Sequence, residues 1–494
     1  MLSLPALDLP TLRRDFTASL VVFLVALPLC VGVAVASGVP AELGLITGIV
    51  GGLVAGALPG SRLQVSGPAA GLTVLVFEAV RAHGLGVLGV IVLLTGGLQL
   101  LLGALGLGRW FRAISVSVVE GMLAGIGLIL IAGQLYAMAD GAAPADGIAK
   151  ITGLPGLAAD VAGSSTARTA FLLGAGTIAV MAVWRRLPPV VRALPAPLAA
   201  VALATVAALA LGLDVKTVQV SGLLDAVRPP DPSDLAALAQ LGVIGTVVAF
   251  TLIASAESLF SASAVDRMHD GPRTHFDKEL MAQGAGNTVC GLLGALPMTA
   301  VIVRSAANVQ AGARTKASRV LHGLWLLLFA ALLPSALELI PVAALAGVLV
   351  NAGWKLLPLG ELRVLWRGHR SEAVILGATA LSIVALNMFE GVVIGLLLAV
   401  VKTAWDTSHV HLDVDDPGEG PIEVRLIGNA TFLRLPRMLD ALEALPKDRP
   451  IALDLGGLRH LDHACRSALT TWAARHNDEG TAPVHLPGDP LVPA

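Results

Sequence analysis

Two charged residues, Glu257 and Arg304, stand inside long apolar stretches of the sequence. Glu257 lies within Thr251–Ser263, and Arg304 lies within Leu296–Asn308. A charged side chain at the centre of a bilayer costs about 2.5–3.5 kcal/mol on insertion scales, so such residues are rare and mark functional sites. A guanidinium can bind an anion, and a carboxyl in apolar surroundings can carry a proton. The two residues together therefore indicate chemistry on a small anion and a proton.

Each of these residues also has a structural explanation. Glu257 and Arg304 could neutralise one another in a static ion pair, and Arg304 could instead extend its side chain to the cytoplasmic surface. Both explanations stay open at the level of sequence, because they depend on where the two side chains point.

Two breaks interrupt the apolar segments. The first is Gln64–Leu72, which contains Gly67-Pro68, and the second opens at Pro297. Proline suits the first position of a helix, and a helix that begins inside a membrane directs free N–H groups and a partial positive charge at what lies ahead. The breaks predict two half-helices whose N-termini form an anion site near the midplane. The alternative is a pair of ordinary proline kinks.

The composition of the chain requires a membrane environment. Of 494 residues, 55% are hydrophobic and 14% are charged, whereas a soluble domain carries about 25% charged residues. No charge occurs from Phe16 to Ser37, and a bilayer core needs about 20 apolar residues per helix. No nucleophile–base set, phosphate loop or metal cluster is recognisable, so the sequence predicts no enzyme, no cofactor and no metal. Scattered basic caps also argue against nucleic acid as a partner.

The apolar segments predict an all-α polytopic membrane protein with fourteen spans. We place these segments at 16–37, 43–58, 67–80, 85–107, 113–138, 168–184, 193–212, 240–264, 278–295, 299–311, 318–337, 341–354, 372–388 and 390–405. Gly56-Ala-Leu-Pro59 ends the second segment and Gly294-Ala-Leu-Pro297 ends the ninth. Seven spans separate these copies, and an odd number predicts two inverted repeats of seven spans, at about 12–212 and 236–408.

The distribution of basic residues predicts the orientation. Most of them fall in turns after even-numbered spans, which places both termini in the cytoplasm by the positive-inside rule. We therefore predict a cytoplasmic N-terminus at 1–15, a transport domain at 16–408 and an acidic linker at 409–420. Arg319 is one of the basic residues that we assign to these cytoplasmic turns. The tail at 421–494 alternates strand and helix patterns and predicts a small cytoplasmic α/β domain.

Three motifs resemble the sulfate permease (SulP) family of anion transporters, to which prestin and pendrin belong. They are Val65-Ser-Gly-Pro-Ala-Ala70, Ala254-Ser-Ala-Glu-Ser-Leu259 and Arg304-Ser-Ala-Ala-Asn-Val-Gln-Ala-Gly-Ala313. The resemblance implies a core domain (spans 1–4 and 8–11), a gate domain (spans 5–7 and 12–14), elevator-like movement and a homodimer. It also implies a multi-pass protein in the inner membrane of a bacterium, with the lipid bilayer as its surroundings.

The same resemblance assigns residues to the site. Substrate would contact Leu29 and Val33 on the first span, the first break, and the start of the tenth span; Glu257 would couple transport to protons. The substrate-binding residues implied in this way are Leu29, Val33, Ser66, Gly67, Ala69, Ala70, Val303 and Arg304.

The resemblance also suggests a substrate and a tail domain. The chain is similar to bacterial proton-coupled symporters of dicarboxylates such as fumarate. In the tail, Ile451–Leu455 and Leu461-Asp462 resemble part of a STAS domain, which we expect to be shortened. The alternatives are a bicarbonate or sulfate transporter coupled to sodium or protons, a passive anion channel, and a nucleobase carrier. The Arg304 motif argues against the last of these.

Overall fold

The computed structural model describes residues 9–109, 115–144, 146–184, 186–188, 194–219, 222–479 and 483–485. Most of these residues are helical. The helices of the first half are α1 (Leu9–Ala36), α2 (Ala41–Val50, continued by a π-helical turn at Gly51–Ala55), α3 (Thr73–His83), α4 (Leu85–Ala104), α5 (Val116–Met138), α6 (Gly147–Thr152), α7 (Leu154–Gly163), α8 (Ser165–Trp184) and α9 (Ala196–Ala210).

The second half repeats much of this order. Its helices are α10 (Pro232–Ala236), α11 (Leu241–Asp266), α12 (Phe276–Leu292), α13 (Ile302–Gln310), α14 (Ala317–Leu332), α15 (Pro334–Glu338), α16 (Val342–Leu356), α17 (Leu359–Gly368), α18 (Arg370–Ala385) and α19 (Met388–Thr407). Two short strands, β1 (Ser66–Pro68) and β2 (Met298–Ala300), precede α3 and α13.

The apolar segments predicted from the sequence coincide with these elements. All fourteen segments overlap a helix, and in the third and the tenth a short strand precedes a half-length helix. By length and composition, six helices of the described chain can cross a membrane: Leu9–Ala36, Leu85–Ala104, Val116–Met138, Ser165–Trp184, Leu241–Asp266 and Val342–Gly368. Shorter apolar helices cover Ala41–Ala55, Ala196–Ala210 and Ala317–Leu332.

The two halves exchange packing partners. Helix α4 of the first half packs against α12 and α11 of the second, and α14 of the second half packs against α2 and α1 of the first. The order long helix, helix, strand, half-helix, helix occurs in both halves. Two interlocked repeats produce such reciprocal contacts, and they bring both broken segments into the interior.

The end of the chain forms a separate compact unit. Met1–Leu396 is one unit and Leu397–Ala494 is the other. The second unit contains a four-stranded sheet, in the order β3-β4-β5-β6, and two helices. Its further elements are β3 (Val410–Asp415), β4 (Ile422–Ala430), α20 (Leu435–Glu443), β5 (Ile451–Leu461), α21 (His463–Glu479) and β6 (Val484–His485). Strand β3 is antiparallel to β4, and the other neighbours are parallel.

The sequence prediction of a linker at 409–420 is wrong in its first half. Val410–Asp415 is a strand paired along its whole length with β4, so only the residues from Asp416 to the start of β4 connect elements. The acidic residues of this stretch alternate with apolar ones and occupy the exposed face of an edge strand, where charge is tolerated. Ile422, Val424 and Leu453 are buried in the core of this unit.

Candidate functional site

The two breaks in the apolar sequence meet as a pair of strands. Strand β1 pairs antiparallel with β2, and Gly67 lies opposite Thr299. All six strand residues are buried. The backbone at both breaks is therefore extended and hydrogen-bonded across the repeats, which differs from a simple proline kink within a continuous helix.

Each strand leads into the start of a half-helix that has no side-chain cap. After β1 the chain makes a 3₁₀ turn at Ala70–Leu72 and then enters α3; after β2 it enters α13 at Ile302. The residues that precede the two helices, Leu72 and Val301, are apolar, and their side chains accept no hydrogen bond from the first N–H groups. The first N–H groups of a helix need partners from outside it, and they carry a partial positive charge. The two helix starts therefore offer donors for an anion.

Arg304 lies at the strand pair and is completely buried. Its Nη2 donates a hydrogen bond of 3.3 Å to the carbonyl oxygen of Pro68. Its Nε and Nη1 have no hydrogen-bond partner of good geometry among the described residues, and the buried Cys30 thiol of α1 lies close to the guanidinium. A Cβ atom at Gly67 would stand 2.3 Å from Nη1, so the guanidinium rests directly on this glycine. The side chain does not reach the surface, and its positive charge stays at the meeting point of the breaks.

Glu257 lies on α11 beside the start of α3. A Cβ atom at Gly71 would stand 2.8 Å from the Glu257 Oε1. The buried Oε2 atom has no hydrogen-bond partner within the described structure. Both Glu257 and Arg304 belong to the described residues, and no ion pair joins them; Arg304 donates to the Pro68 carbonyl instead. The static ion pair considered from the sequence is therefore absent.

The remaining predicted site residues divide into two groups. Leu29 and Val33 of α1 are buried, at 8% and 3% exposure, in an apolar cluster against which Ala70 packs. Ala69 is buried as well, and the Ser66 hydroxyl accepts a hydrogen bond within the protein. Val303 is 43% exposed, so its side chain lies outside this packing. Ser66 and Gly67 therefore lie with Arg304 at the strand pair. Leu29 and Val33 share an apolar cluster with Ala70, which follows the first strand, and the Val303 side chain is not part of this packing.

A second buried arginine was assigned wrongly from the sequence. Arg319 was expected in a cytoplasmic turn, but it lies on α14 with 2% exposure. Its guanidinium donates to the carbonyl oxygens of Gly56 (2.7 Å), Gln64 (3.2 Å), Ala55 (3.4 Å) and Leu58 (2.9 Å). These carbonyls belong to the end of α2 and the chain before β1. Arg319 therefore fixes the approach to the first break.

Buried amide side chains also hold the strand pair. Gln283 Nε2 donates to the Ser66 hydroxyl at 2.7 Å, and Asn287 bonds to the backbone of Met298. Sequence reasoning overlooked these residues, although a polar side chain within an apolar segment is a signal that could have found them. Among the described residues, no group of three or more His, Cys, Asp or Glu side chains could hold a metal ion.

This arrangement defines a class of protein. A helical membrane protein in which half-helices of two repeats start beside a buried cation has the architecture of an anion transporter. The sequence matches the Sulfate permease family over residues 12–379. The chain belongs to this family, and its relatives are transporters and not enzymes.

Two relatives and one solved structure illustrate the similarity. The bicarbonate transporter BicA of Picosynechococcus sp. is 28% identical over 414 residues, covering 79% of this chain and 70% of that protein. The sodium-independent sulfate anion transporter of Bos taurus is 26% identical over 495 residues, covering 92% and 80%. The murine Slc26a9 anion transporter in its inward-facing state shares the fold, with a TM-score of 0.77 at 16% identity, over 96% of this chain and 85% of that one.

Proposed function

We propose that this protein is a secondary active transporter that binds a small oxyanion between the starts of α3 and α13. The observation that carries the proposal is the pairing of β1 with β2 beside Arg304, whose Nε and Nη1 are unpaired within the described structure. A buried cation with free donors is costly unless an opposite charge completes it. Two helix starts and one guanidinium complement an oxyanion.

Bicarbonate or sulfate is the anion that we propose. The family resemblance suggested a dicarboxylate such as fumarate, but the two relatives described above are named for bicarbonate and sulfate, and neither is named for a dicarboxylate. A compact oxyanion also suits a site whose donors are backbone N–H groups and a single guanidinium. The predicted lining residues Leu29 and Val33 are apolar and would exclude water around it.

Glu257 is the residue that we propose to carry the coupling proton. Its carboxyl stands beside Gly71 at the start of α3 and forms no ion pair with Arg304. A buried carboxyl without a counter-ion binds a proton when water is excluded and releases it when the site opens. One proton taken up with one anion would reduce the charge that crosses the membrane.

The movement and surroundings complete the proposal. We propose that a core domain, α1–α4 with α11–α14, moves like an elevator against a gate domain formed by α5–α9 and α16–α19. The protein would act as a homodimer in the inner membrane of a bacterium, with both termini in the cytoplasm. The C-terminal unit would be a STAS-like domain, since its sheet begins with an antiparallel strand and continues with parallel strands separated by helices.

Uptake into proteoliposomes under an imposed pH gradient tests the proposal. With acid outside, we expect the protein to accumulate radiolabelled sulfate or bicarbonate above the external concentration. Glu257→Gln should lose this accumulation and keep exchange of anion for anion, because the site persists without a titrating carboxyl. Glu390→Gln, at an exposed position on α19, is the matched control and should behave like the unmodified protein.

Two outcomes would count against the proposal. Uptake that ignores the pH gradient in the unmodified protein would indicate a passive channel. A Glu257→Gln variant that still concentrates the anion would remove Glu257 from the coupling step. Including fumarate and succinate as competitors shows whether the site prefers a dicarboxylate, which would restore the first expectation from the sequence.

A further inference from the structure

The edge of β2 that faces away from β1 is completed by side chains. The Met298 N–H donates to Asn287 Oδ1 at 2.7 Å, and Asn287 Nδ2 donates to the Met298 carbonyl oxygen at 3.1 Å. In an antiparallel pair of strands, two residues opposite each other at a hydrogen-bonded position form both hydrogen bonds with each other, one through each N–H group. The Asn287 amide therefore takes the place of a third strand beside β2.

Ala300 is the next residue of β2 whose backbone groups face away from β1, and it also bonds to side chains. The Ala300 N–H donates to the Ser258 hydroxyl at 3.3 Å, and the Ser261 hydroxyl donates to the Ala300 carbonyl oxygen at 3.0 Å. Buried backbone groups need partners, and along this edge of β2 side chains of α11 and α12 supply them. As a result β2 is held on both edges, although it is only three residues long.

Gln99 of α4 orients the Asn287 amide. Asn287 Nδ2 also donates to Gln99 Oε1 at 2.8 Å, and Gln99 Nε2 donates to the Ser255 hydroxyl at 3.1 Å. Gln99 and Asn287 have no exposed surface. A buried polar network whose members are satisfied is rigid. This network runs from the first repeat through the second and ends on α11, two residues before Glu257.

Glycines allow the two amides to meet. A Cβ atom at Gly96 would stand 2.3 Å from the Thr288 backbone nitrogen, and one at Gly284 would stand 2.7 Å from the Leu100 backbone nitrogen. Helices α4 and α12 therefore approach backbone to backbone, as small residues permit inside a membrane. At this separation the short side chains of Gln99 and Asn287 reach each other.

We propose that Asn287, oriented by Gln99, is a positioning residue for the anion site. Asn287 holds the backbone of Met298 and so the position of β2. Because β2 leads into α13, its position determines where α13 starts and where Arg304 lies. The chain between β2 and α13 is also held by the first repeat, because the Val301 N–H donates to the Val65 carbonyl oxygen at 2.9 Å. This inference rests on the proposed function, since it assigns to the amide pair the task of placing the anion-binding donors.

Asn308 provides a matched control. Its Nδ2 donates to the Leu63 carbonyl oxygen at 2.9 Å, and it is completely buried like Asn287. Leu63 precedes β1 by three residues and has no bond to β2. Asn308 lies on α13, one turn after Arg304, so Asn308→Ala releases the later part of that helix from the chain before β1 while the Asn287 bonds that hold β2 remain.

The test measures anion affinity and transport in the purified full-length protein. Radiolabelled sulfate and bicarbonate are the probes for binding in detergent, and thermal unfolding monitors the fold. We expect Asn287→Ala to weaken binding about tenfold, which corresponds to about 1.4 kcal/mol, and to raise KM for uptake more than it lowers the maximal rate. Gln99→Ala should have a smaller effect in the same direction. The double variant should be less than additive, because the two residues act through one contact.

The outcomes separate this inference from the function on which it rests. If the unmodified protein binds neither sulfate nor bicarbonate, the proposed function fails and the inference fails with it. If the unmodified protein binds and Asn287→Ala and Gln99→Ala bind equally well, the positioning role alone is overturned. An equal loss of affinity in Asn308→Ala would also overturn it, because the affinity would then depend on any tether of α13 and not on the bonds that hold β2. Should Asn287→Ala not fold, Gln99→Ala and the Asn308→Ala control still decide the question.

Discussion

The two broken segments of this protein share one backbone conformation, a short strand followed by a half-helix, but differ in where a buried positive charge lies. The first, β1 and the start of α3, carries no charged side chain from Leu63 to Phe77 and is anchored by the buried cation Arg319. The second, β2 and the start of α13, carries the buried cation Arg304 and is anchored by the neutral amide of Asn287.

The hydrogen bonds of the two arginines explain this difference. Arg319 donates to four carbonyl oxygens of the chain before β1, so its donors are occupied by the protein itself. Arg304 donates to one carbonyl and keeps two nitrogens without a partner among the described residues. A saturated buried cation contributes to stability, whereas an unsaturated one is available to a ligand. The comparison makes the two arginines separable by experiment.

Arg319→Leu should have the largest effect, and it should be an effect on stability. Three buried carbonyl oxygens, those of Gly56, Gln64 and Ala55, would lose the guanidinium as donor, whereas Leu58 would keep Lys316 Nζ at 2.8 Å. Each unsatisfied buried group costs about 1–3 kcal/mol, so we expect destabilisation of at least about 3 kcal/mol. Thermal unfolding in detergent measures it. The fraction that remains folded should bind sulfate or bicarbonate with unchanged affinity. A stable variant with weakened binding would reverse the roles of the two arginines.

Arg304→Ala should have the next largest effect, and it should be an effect on binding. Losing charged hydrogen bonds in a buried site costs about 1.5–3 kcal/mol, so we expect roughly 100-fold weaker anion binding by calorimetry, with no loss of thermal stability because an incompletely paired buried charge is removed. Arg304→Lys keeps the charge and should bind with intermediate affinity. Unchanged affinity in Arg304→Ala would return this residue to a structural role.

Much of this fold was predictable because long apolar runs have few alternatives. The apolar segments, the two breaks and the alternation of strand and helix in the tail follow directly from composition and periodicity. The pairing of β1 with β2 did not follow, because strands of three residues carry no periodic signal. Strand Val410–Asp415 escaped notice because its acidic residues resembled a linker, although every second position is apolar.

The site was only partly predictable, for a physical reason. Glu257 and Arg304 stood out as single charges in apolar sequence, but Arg319 lies three residues from the start of its helix and looked like a loop residue. Its burial depends on carbonyl oxygens more than 250 residues away in the sequence. Likewise Gln99 and Asn287 acquire a role only when α4 and α12 approach closely. Contacts between repeats create these roles; the local sequence marks the amides as polar residues in apolar segments but does not show what they bind.

Gly67→Ala tests the contact between the two segments and should have a moderate effect. The added Cβ atom would stand 2.3 Å from Arg304 Nη1, the mobile end of a side chain, so the guanidinium should shift while the fold is retained. We expect binding about tenfold weaker, or about 1.4 kcal/mol, in the calorimetric assay. Gly97→Ala, where the Cβ atom would meet nothing within 4 Å, is the control and should bind normally. Normal binding by Gly67→Ala would show that the guanidinium does not act from this position.

Ser66→Ala should have the smallest effect. The Ser66 hydroxyl accepts from Gln283 Nε2, but that nitrogen also donates to Glu279 Oε1 at 2.7 Å and would keep this partner. Removal of one neutral hydrogen bond costs about 0.5–1.5 kcal/mol, so we expect a small fall in thermal stability and less than threefold weaker binding. A loss of binding as large as that in Arg304→Ala would mean that the hydroxyl itself contacts the anion.

The position of a bound anion tests the central claim most directly. Selenate is a heavier analogue of sulfate, and its anomalous scattering can be located in crystals of the full-length protein. Our account predicts a peak between the starts of α3 and α13, within hydrogen-bonding reach of backbone N–H groups from both and beside the Arg304 guanidinium. A peak elsewhere in the protein, or none at saturating selenate, would contradict it.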